Sequence, residues 1–465
     1  MSRLYSRILR HYYYAIVCLI AVATNSGIYA QECSTGGSNG NTCRNDDAAA
    51  DAVASTSTAT MMAEEPTSKL CASIRAKDVR ALGLRPTYFQ GGYGRDPEQG
   101  KFWNWPWNWF TQMLSKFGWK EVGVAPEACS EALFKVLYAD KTTGDGMIYE
   151  KYCHSDEKPG LAFGFDNVSK EFGRKDAFVR NIQEYEKAHN MYPSIIPLSF
   201  HISDEAECKA FFALPNAEQK KWISKATDRF GAQGVDAISD FEGFRAKFGD
   251  CSAPIDAPQV QEFIEPPLVD GKTWFIRTYL FIVNSKPLVA LRRQGTVRLC
   301  TEPYVKRDDD DPAVRRFATI CNPFVAYSHP MWQKEGGFTM YDFKKPINVL
   351  IPILGKDGLE KFLDNLDKAY SILLGKMEKI ITTETASPDH AVGHYAMDVM
   401  IDGDHNVKIL EFNPCMGRDR EKHMEAEARI ALTSLLQFGM SMNTTYDVKA
   451  CVVEYPTFSF AGPFP

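Results

Sequence analysis

The sequence predicts an α+β protein, and three stretches carry the prediction. Tyr395 to Cys415 reads as two short strands joined by the turn-rich segment DGDHN, because apolar alternation stops where Asp, Gly and Asn cluster. Thr273 to Asn284 reads as a long strand, and Leu359 to Thr382 has the apolar spacing of an amphipathic helix. With 465 residues, 45% hydrophobic and 24% charged, the chain is large enough for two or three domains and has the composition of a globular protein. A formal net charge of −6 lacks the basic footprint that a dominant nucleic-acid interaction leaves.

At the amino terminus Arg3, Arg7 and Arg10 precede an apolar run from Tyr12 to Ala23, and small residues follow. Residues 1–30 therefore have the layout of a secretory signal peptide or, with the flanks counted, of a signal anchor. The expectation is a lumenal or secreted protein that meets no membrane unless that segment stays uncleaved. Membrane-anchored and cytoplasmic locations are the alternatives. Residues 31–69 are Gly, Ser, Asn, Ala, Thr and Asp with few large apolar groups, so they cannot offset their ordering entropy and read as a flexible leader.

Residues 70–165 form an expected first module, which contains the tryptophan-dense run Phe102 to Phe110. Large aromatics of this kind fill a core or make a sugar or membrane platform. In residues 166–257, Lys170 to Asn190 has helical spacing, and a helix is expected from Asp204 to Leu214. Residues 258–446 hold the strands Thr273 to Asn284, Pro287 to Leu291 and Gly295 to Cys300, the long amphipathic helix, the hairpin, and helices from Glu421 to Phe438. The run Asp308 to Asp311 reads as a solvated loop, and 447–465 as a tail of loose strands and turns. Of the 12 cysteines, Cys18 lies in the apolar run, so a processed chain keeps an odd number. Cys33 and Cys43 bracket a loop they could close in an oxidising compartment. Asn167 and Asn443 are glycosylation acceptors if the chain is secreted.

The chemistry concentrates at the hairpin. Glu411 and Asn413 are two apart on one strand and share a face, and folding the hairpin brings Asp398 close to Glu411. Two carboxylates and an amide among Ile, Leu, Met and Phe are costly to bury unless a cation lies between them, and Mg²⁺ suits such a set. A solvated hairpin with acidic tips is the alternative. Upstream, Trp222 to Lys225 reads as a strand ending in lysine, followed by a loop with Gly231 and Gly234. Glycine lets backbone N–H groups approach a phosphate while the ammonium supplies charge, although an ordinary hairpin turn would look the same.

These pieces, with FGWKEV at Phe117, GRKDAFVRNIQEY at Gly173, QEFIEPPL at Gln261 and RRQGTVRLCTEPY at Arg292, stand in the order of the tubulin-tyrosine-ligase-like family of the ATP-grasp superfamily, which the chain resembles from about Trp109 to Leu435. The resemblance implies an ATP-grasp fold whose two α+β subdomains, 166–257 and 258–446, clasp ATP. It implies that Lys175 and Lys225 contact phosphates beneath the glycine loop, and that Gln261, Glu262, Phe263 and Ile264 line the adenine slot. Arg277 and Arg293 would then steady the transferred phosphoryl group, and Asp398, Glu411 and Asn413 would hold Mg²⁺. The implied reaction joins an amino acid to a protein or peptide carboxylate through an acyl-phosphate; a monomer is expected.

Some positions depart from the family pattern. Thr273, Trp274 and Phe275 stand where lysine, an aromatic residue and aspartate are usual, which leaves Lys272 as the nearest substitute cation. The family's H-x-T-N is Thr319-Ile320-Cys321-Asn322, keeping Asn322 alone. Glu262 stands where the adenine slot usually has a cation. These departures favour the alternative of a degenerate ATP-grasp domain that binds nucleotide or peptide without turnover.

Overall fold

The computed structural model describes residues 69–91, 106–123, 126–137, 161–163, 166–227, 229, 232–252, 257–308, 311–383, 391–413, 423–440 and 445–461. The signal-like segment, the leader up to Ser68, Cys33, Cys43, Phe102 to Trp105, Gly231 and Asn443 lie outside the described residues.

The chain begins with a parallel layer. Helix α1 (Ala76–Ala81) precedes strand β1 (Thr87–Gly91), and α2 (Pro106–Lys116) precedes β2 (Lys120–Glu121), β3 (Phe134–Leu137) and β4 (Leu161–Phe163). The strands line up in the order β2-β1-β3-β4, all parallel. At the end of the tryptophan-rich run, Phe110 is fully buried with its ring 5.9 Å from that of Phe134. That residue fills a core.

The expected helix from Lys170 to Asn190 is two, α3 (Asp166–Gly173) and α4 (Lys175–His189), because Arg174 between them is extended (φ −94°, ψ 136°). Lys175 thereby becomes the first residue of a helix instead of an interior one. Next come β5 (Ser199–His201), α5 (Glu205–Phe212), β6 (Trp222–Lys225), β7 (Val235–Ile238), α6 (Phe241–Phe248) and β8 (Gln259–Glu262). Asp204 caps α5 by accepting from Ala206 and Glu207 N–H groups. The strands form an antiparallel sheet ordered β5-β8-β6-β7. Phe200, Trp222 and Val260 on one face bury against Phe211 and Phe248 of the two helices. Alternation then turns Ile223, Lys225 and Gln261 to the other face.

The largest part of the chain is built on β9 (Trp274–Ser285) and β10 (Leu288–Leu299), followed by α7 (Pro312–Thr319), α8 (Pro323–Tyr327), β11 (Lys344–Pro346), α9 (Ile351–Thr383), β12 (Ala391–Ile401), β13 (Val407–Asn413), α10 (Met424–Ser434), α11 (Val448–Glu454) and β14 (Phe458–Phe460). The strands Pro287 to Leu291 and Gly295 to Cys300, expected as separate, are the single strand β10. Gly295 sits at its bulge, where a Cβ would come within 2.7 Å of the Arg277 carbonyl oxygen. The glycine marks a close approach of two backbones, not a break. Helix α9 contains the expected amphipathic segment and is interrupted at Gly355, at φ 72°.

Antiparallel strands run β11-β10-β9-β12-β13, and the start of β12 pairs in parallel with β4, which fuses both layers into one ten-stranded sheet. Thr278, Ile276, Leu280 and Ile282 face α9, where Tyr370 Oη donates to Thr278 Oγ1 at 2.5 Å. On the other face Phe281 and Val283 pack with Ile430 and Leu432 of α10. Arg277 and Tyr279 continue that second face toward the small sheet. The result is the expected ATP-grasp arrangement, two α+β lobes on either side of a cleft.

The segment from Asp447, expected as loose strands and turns, carries α11, capped by Asp447, and β14, which pairs with β10. The described disulfides join Cys71 to Cys451, Cys208 to Cys251 and Cys300 to Cys321. The first closes a loop of 380 residues between the start of the first module and α11. Disulfides typically stabilise by about 2–4 kcal/mol, and loop-closure entropy places a link this long at the upper end or above. The paired Cys71→Ser/Cys451→Ser variant should therefore unfold at lower denaturant concentration than the native chain. Superimposable transitions would show that this link contributes nothing.

Candidate functional site

A cleft opens between the small sheet and the large one. Lys175, Lys225, Gln261, Glu262, Phe263, Ile264, Asn322, Asp398 and Glu411, all expected from the sequence, line it. They come from both lobes and from positions more than two hundred residues apart in the chain.

The acidic wall follows from strand register. Asp398 on β12 lies opposite Glu411 on β13, and opposite Arg277 on β9. Arg277 donates through Nε and Nη2 to the two Asp398 carboxylate oxygens, each at 2.7 Å. Burial works against the Arg277 charge, but Asp398 more than offsets it and holds the guanidinium ionised beyond its usual range. Asp398 is 5% exposed. Beside this pair the hairpin has a bulge, so that Glu411 pairs with Asp398 and Ile409 with Val399, leaving Leu410 unmatched. The Leu410 carbonyl accepts from Lys225 Nζ at 3.2 Å.

The basic wall comes from the other lobe. Lys225 ends β6 and donates to Gln261 Oε1 at 2.5 Å, and Gln261 Nε2 donates in turn to Ser199 Oγ at 3.0 Å. Burial pushes the Lys225 ammonium down to about 8; Glu411 pulls the other way and Lys175 adds to the depression. Lys175 Nζ lies 3.4 Å from Glu411 Oε1 and donates to the Arg229 carbonyl of the glycine loop. Gly234, at φ 63°, has Ala226 Cβ only 2.7 Å from where its own Cβ would be, so the tight return of that loop requires glycine. Between the two walls Ile223, Val235, Met400 and Leu410 supply an apolar slot.

Five expected residues are not part of the cleft lining: Gly234, Lys272, Arg293, Asn413 and Arg277, which reaches it through Asp398. Lys272 Nζ donates to the Thr301 carbonyl at 2.9 Å and lies over the Phe338 ring, held there by that acceptor and the aromatic face. Arg293 is buried with its guanidinium 3.9 Å from the centre of the Tyr279 ring. Asn322 lines the cleft and also caps α8, its Oδ1 accepting from Phe324 N–H at 2.9 Å.

Sequence reading missed Met400, Leu410 and Val235 as cleft residues, because an apolar wall and an apolar core are written with the same residues. It also missed Arg298, a buried third arginine whose charge feels Arg277 and Asp398 and whose strand partner is Phe275. Reading β10 as one strand across Gly295 would have placed Arg298 on the same face as Arg277.

Asp398, Glu411 and Asn413 fit a Mg²⁺ ion by donor chemistry. The two carboxylates are paired across the hairpin, and Asn413, whose amide oxygen could serve as a further ligand, follows two residues on. Among the described residues no group of three His, Cys, Asp or Glu side chains forms a metal cage.

The model of the Tubulin-tyrosine ligase family matches residues 167–444, more than half of the chain. A relative described as a probable tubulin polyglutamylase, ttll-9, from Caenorhabditis elegans is 23% identical over 349 residues, 68% of this chain and 79% of its own length. The protein polyglycylase TTLL10 of Mus musculus is 24% identical over 229 residues, 43% of this chain and 32% of that protein, so the chain spans about a third of it.

The buried Lys225 gives a pH signature. Its lowered value means that near pH 8.5 much of it is neutral in the free protein, and a bound polyanion favours the charged form. Binding of a triphosphate at pH 8.5 should therefore take up a fraction of a proton, read by calorimetry in buffers of different ionisation enthalpy. Lys225→Met should abolish the uptake. Equal uptake in both proteins would show that Lys225 is not the group.

Proposed function

The chain belongs to the tubulin-tyrosine ligase family, and from that premise we propose that it is an ATP-dependent ligase that joins an amino acid to a carboxylate of a protein or peptide. One observation carries the reading. Cations from the small-sheet lobe, Lys175 and Lys225, meet the carboxylates Asp398 and Glu411 and the Arg277 guanidinium of the large-sheet lobe around a single apolar slot.

In this reading the slot at Gln261 to Ile264 takes the base, and the lysines take the phosphates. Asp398, Glu411 and Asn413 would hold Mg²⁺, which when bound neutralises phosphate charge. A carboxylate oxygen of one substrate displaces ADP from the terminal phosphorus, giving an acyl-phosphate. The amine of the other then attacks the acyl carbon, the bond to phosphate breaks, and the amine loses its proton. No protein nucleophile is needed, so the residues act by position and charge. Arg277, fixed at two points by Asp398, steadies the phosphoryl group during transfer.

We also propose a lumenal or secreted acceptor. The described disulfides support an oxidising compartment, where such links persist, and the signal-like amino terminus agrees with it. A second reading, nucleotide binding without turnover, is favoured by Phe275, which packs with Cys300, Cys321 and Met400 where the family has aspartate.

Phosphate release from ATP in the presence of single amino acids and an acidic peptide acceptor separates the two. The native chain should release phosphate with one amino acid above the rest, and Glu411→Gln should reduce the rate about 10²–10³-fold, as loss of a preorganised charge-stabilising group does. Background release by both proteins, with nucleotide still bound, would establish the second reading.

A further inference from the structure

The two lobes are joined across the cleft by side chains as well as by the chain that runs from β8 to β9. On the small-sheet side the turn after Lys225 returns through Ala232 and Gly234 into β7. There the Ala226 N–H donates to the Gly234 carbonyl at 2.8 Å, and the Val235 N–H to the Ala232 carbonyl at 3.3 Å. On the large-sheet side stands α7, and Ile320 just past its end lines the cleft, as do Ala232 and Val235. Arg316, in the last turn of α7, donates to the Asp236 carboxylate and, through Nη2, to the Ala232 carbonyl at 2.6 Å. A carbonyl oxygen has two lone pairs, so Ala232 accepts from Val235 and Arg316 together. Beside this polar tie Phe317 and Val325 bury with Ala232, and Val235 and Ile320 pack around them.

Helix α7 is not free to follow the small-sheet lobe. The Cys300–Cys321 disulfide fastens the residue after β10 to the second residue past α7, so the loop that carries Arg316 is closed covalently on the large lobe. The Glu302 N–H adds a bond to the Phe317 carbonyl at 3.2 Å. A charged donor on a fixed base that grips a backbone carbonyl of the other lobe sets a distance, that between the turn at Ala232 and α7. Arg316 itself is not among the residues that line the cleft, so it acts on the walls and not on their occupant. Its side chain is 30% exposed and that of Asp236 58%, which makes the pair a weak contributor to overall stability. Holding two walls in place is a task such a charge-assisted bond can perform.

Resting on the nucleotide reading of the cleft, we propose that Arg316 is a positioning residue. By tying Ala232 and Asp236 to α7 it holds the two walls at the spacing a nucleotide needs before the nucleotide arrives. Without the tie the lobes sample wider spacings, and apparent affinity falls in proportion to the competent fraction, while the same complex forms at saturation. That behaviour separates positioning from structural support. Lost positioning weakens binding with every molecule still able to bind. Lost folding removes binding sites and leaves the affinity of the rest unchanged.

The test is calorimetric titration of Mg-ATP into the full chain, comparing the native protein with Arg316→Ala, Arg316→Lys, Asp236→Ala and the double variant Arg316→Ala/Asp236→Ala. Arg316→Ala should bind about tenfold more weakly at unchanged stoichiometry. Lysine keeps the charge but not the fork that reaches two acceptors, so Arg316→Lys should recover part of the loss. Asp236→Ala should weaken binding less, because the Ala232 carbonyl remains, and should cost nothing further once Arg316 is gone. Native affinity in Arg316→Ala, reduced stoichiometry at native affinity, or additive losses in the double variant each overturn the assignment and leave the nucleotide reading standing. A native chain that binds no Mg-ATP overturns both.

Discussion

The ion pair between Arg277 and Asp398 is the constraint on which the site depends. It sits where β9 and β12 are in register, with both Asp398 oxygens taken by one guanidinium and little of either side chain in water. Such a pair adds little to stability compared with apolar residues of the same volume, yet losing one partner leaves a stranded charge that costs about 3–5 kcal/mol. Its effect is positional. It fixes an arginine beside the acidic wall and fixes the orientation of a carboxylate whose neighbour across the hairpin is Glu411.

The opposite lobe is arranged to be displaced. Lys175 leans on Glu411 and the loop carbonyl of Arg229, and Lys225 leans on Gln261 and the carbonyl freed by the bulge at Leu410. The depressed Lys225 value records the same situation in electrostatic terms, since burial disfavours its charge until an anion arrives. A ligand seated in the apolar slot would displace water from it, which strengthens the charge interactions around it.

The hairpin was legible from residues 395–415 alone, because alternation, a turn segment and two carboxylates two strand positions from an amide leave little freedom of register. Lys175 and Lys225 were legible through their order along the chain. What the residues did not disclose was geometry that depends on contacts. Gly295 looked like a strand end but is a close approach to Arg277, so the strand that carries Arg298 was cut in two. Arg174 sits within an unbroken helical pattern, yet its extended backbone starts a new helix at Lys175. The segment after Asp447 is apolar but short and broken by Pro and Gly, so it shows no clear periodicity, and it takes its order from the Cys71–Cys451 link and from pairing with β10. Lys272 was the nearest cation in sequence to a position the family fills with lysine, but Thr301 and Phe338 hold it elsewhere.

The central claim is that one triphosphate lies between these two walls. A structure of the chain bound to a non-hydrolysable ATP analogue and Mg²⁺ tests it most directly. The phosphates should lie within hydrogen-bond reach of Lys175 and Lys225, with the metal against Asp398 and Glu411 and the base against Phe263 and Ile264. An analogue seated outside the cleft, or a cleft whose lysines keep their present protein partners while nucleotide is bound elsewhere, would contradict the account.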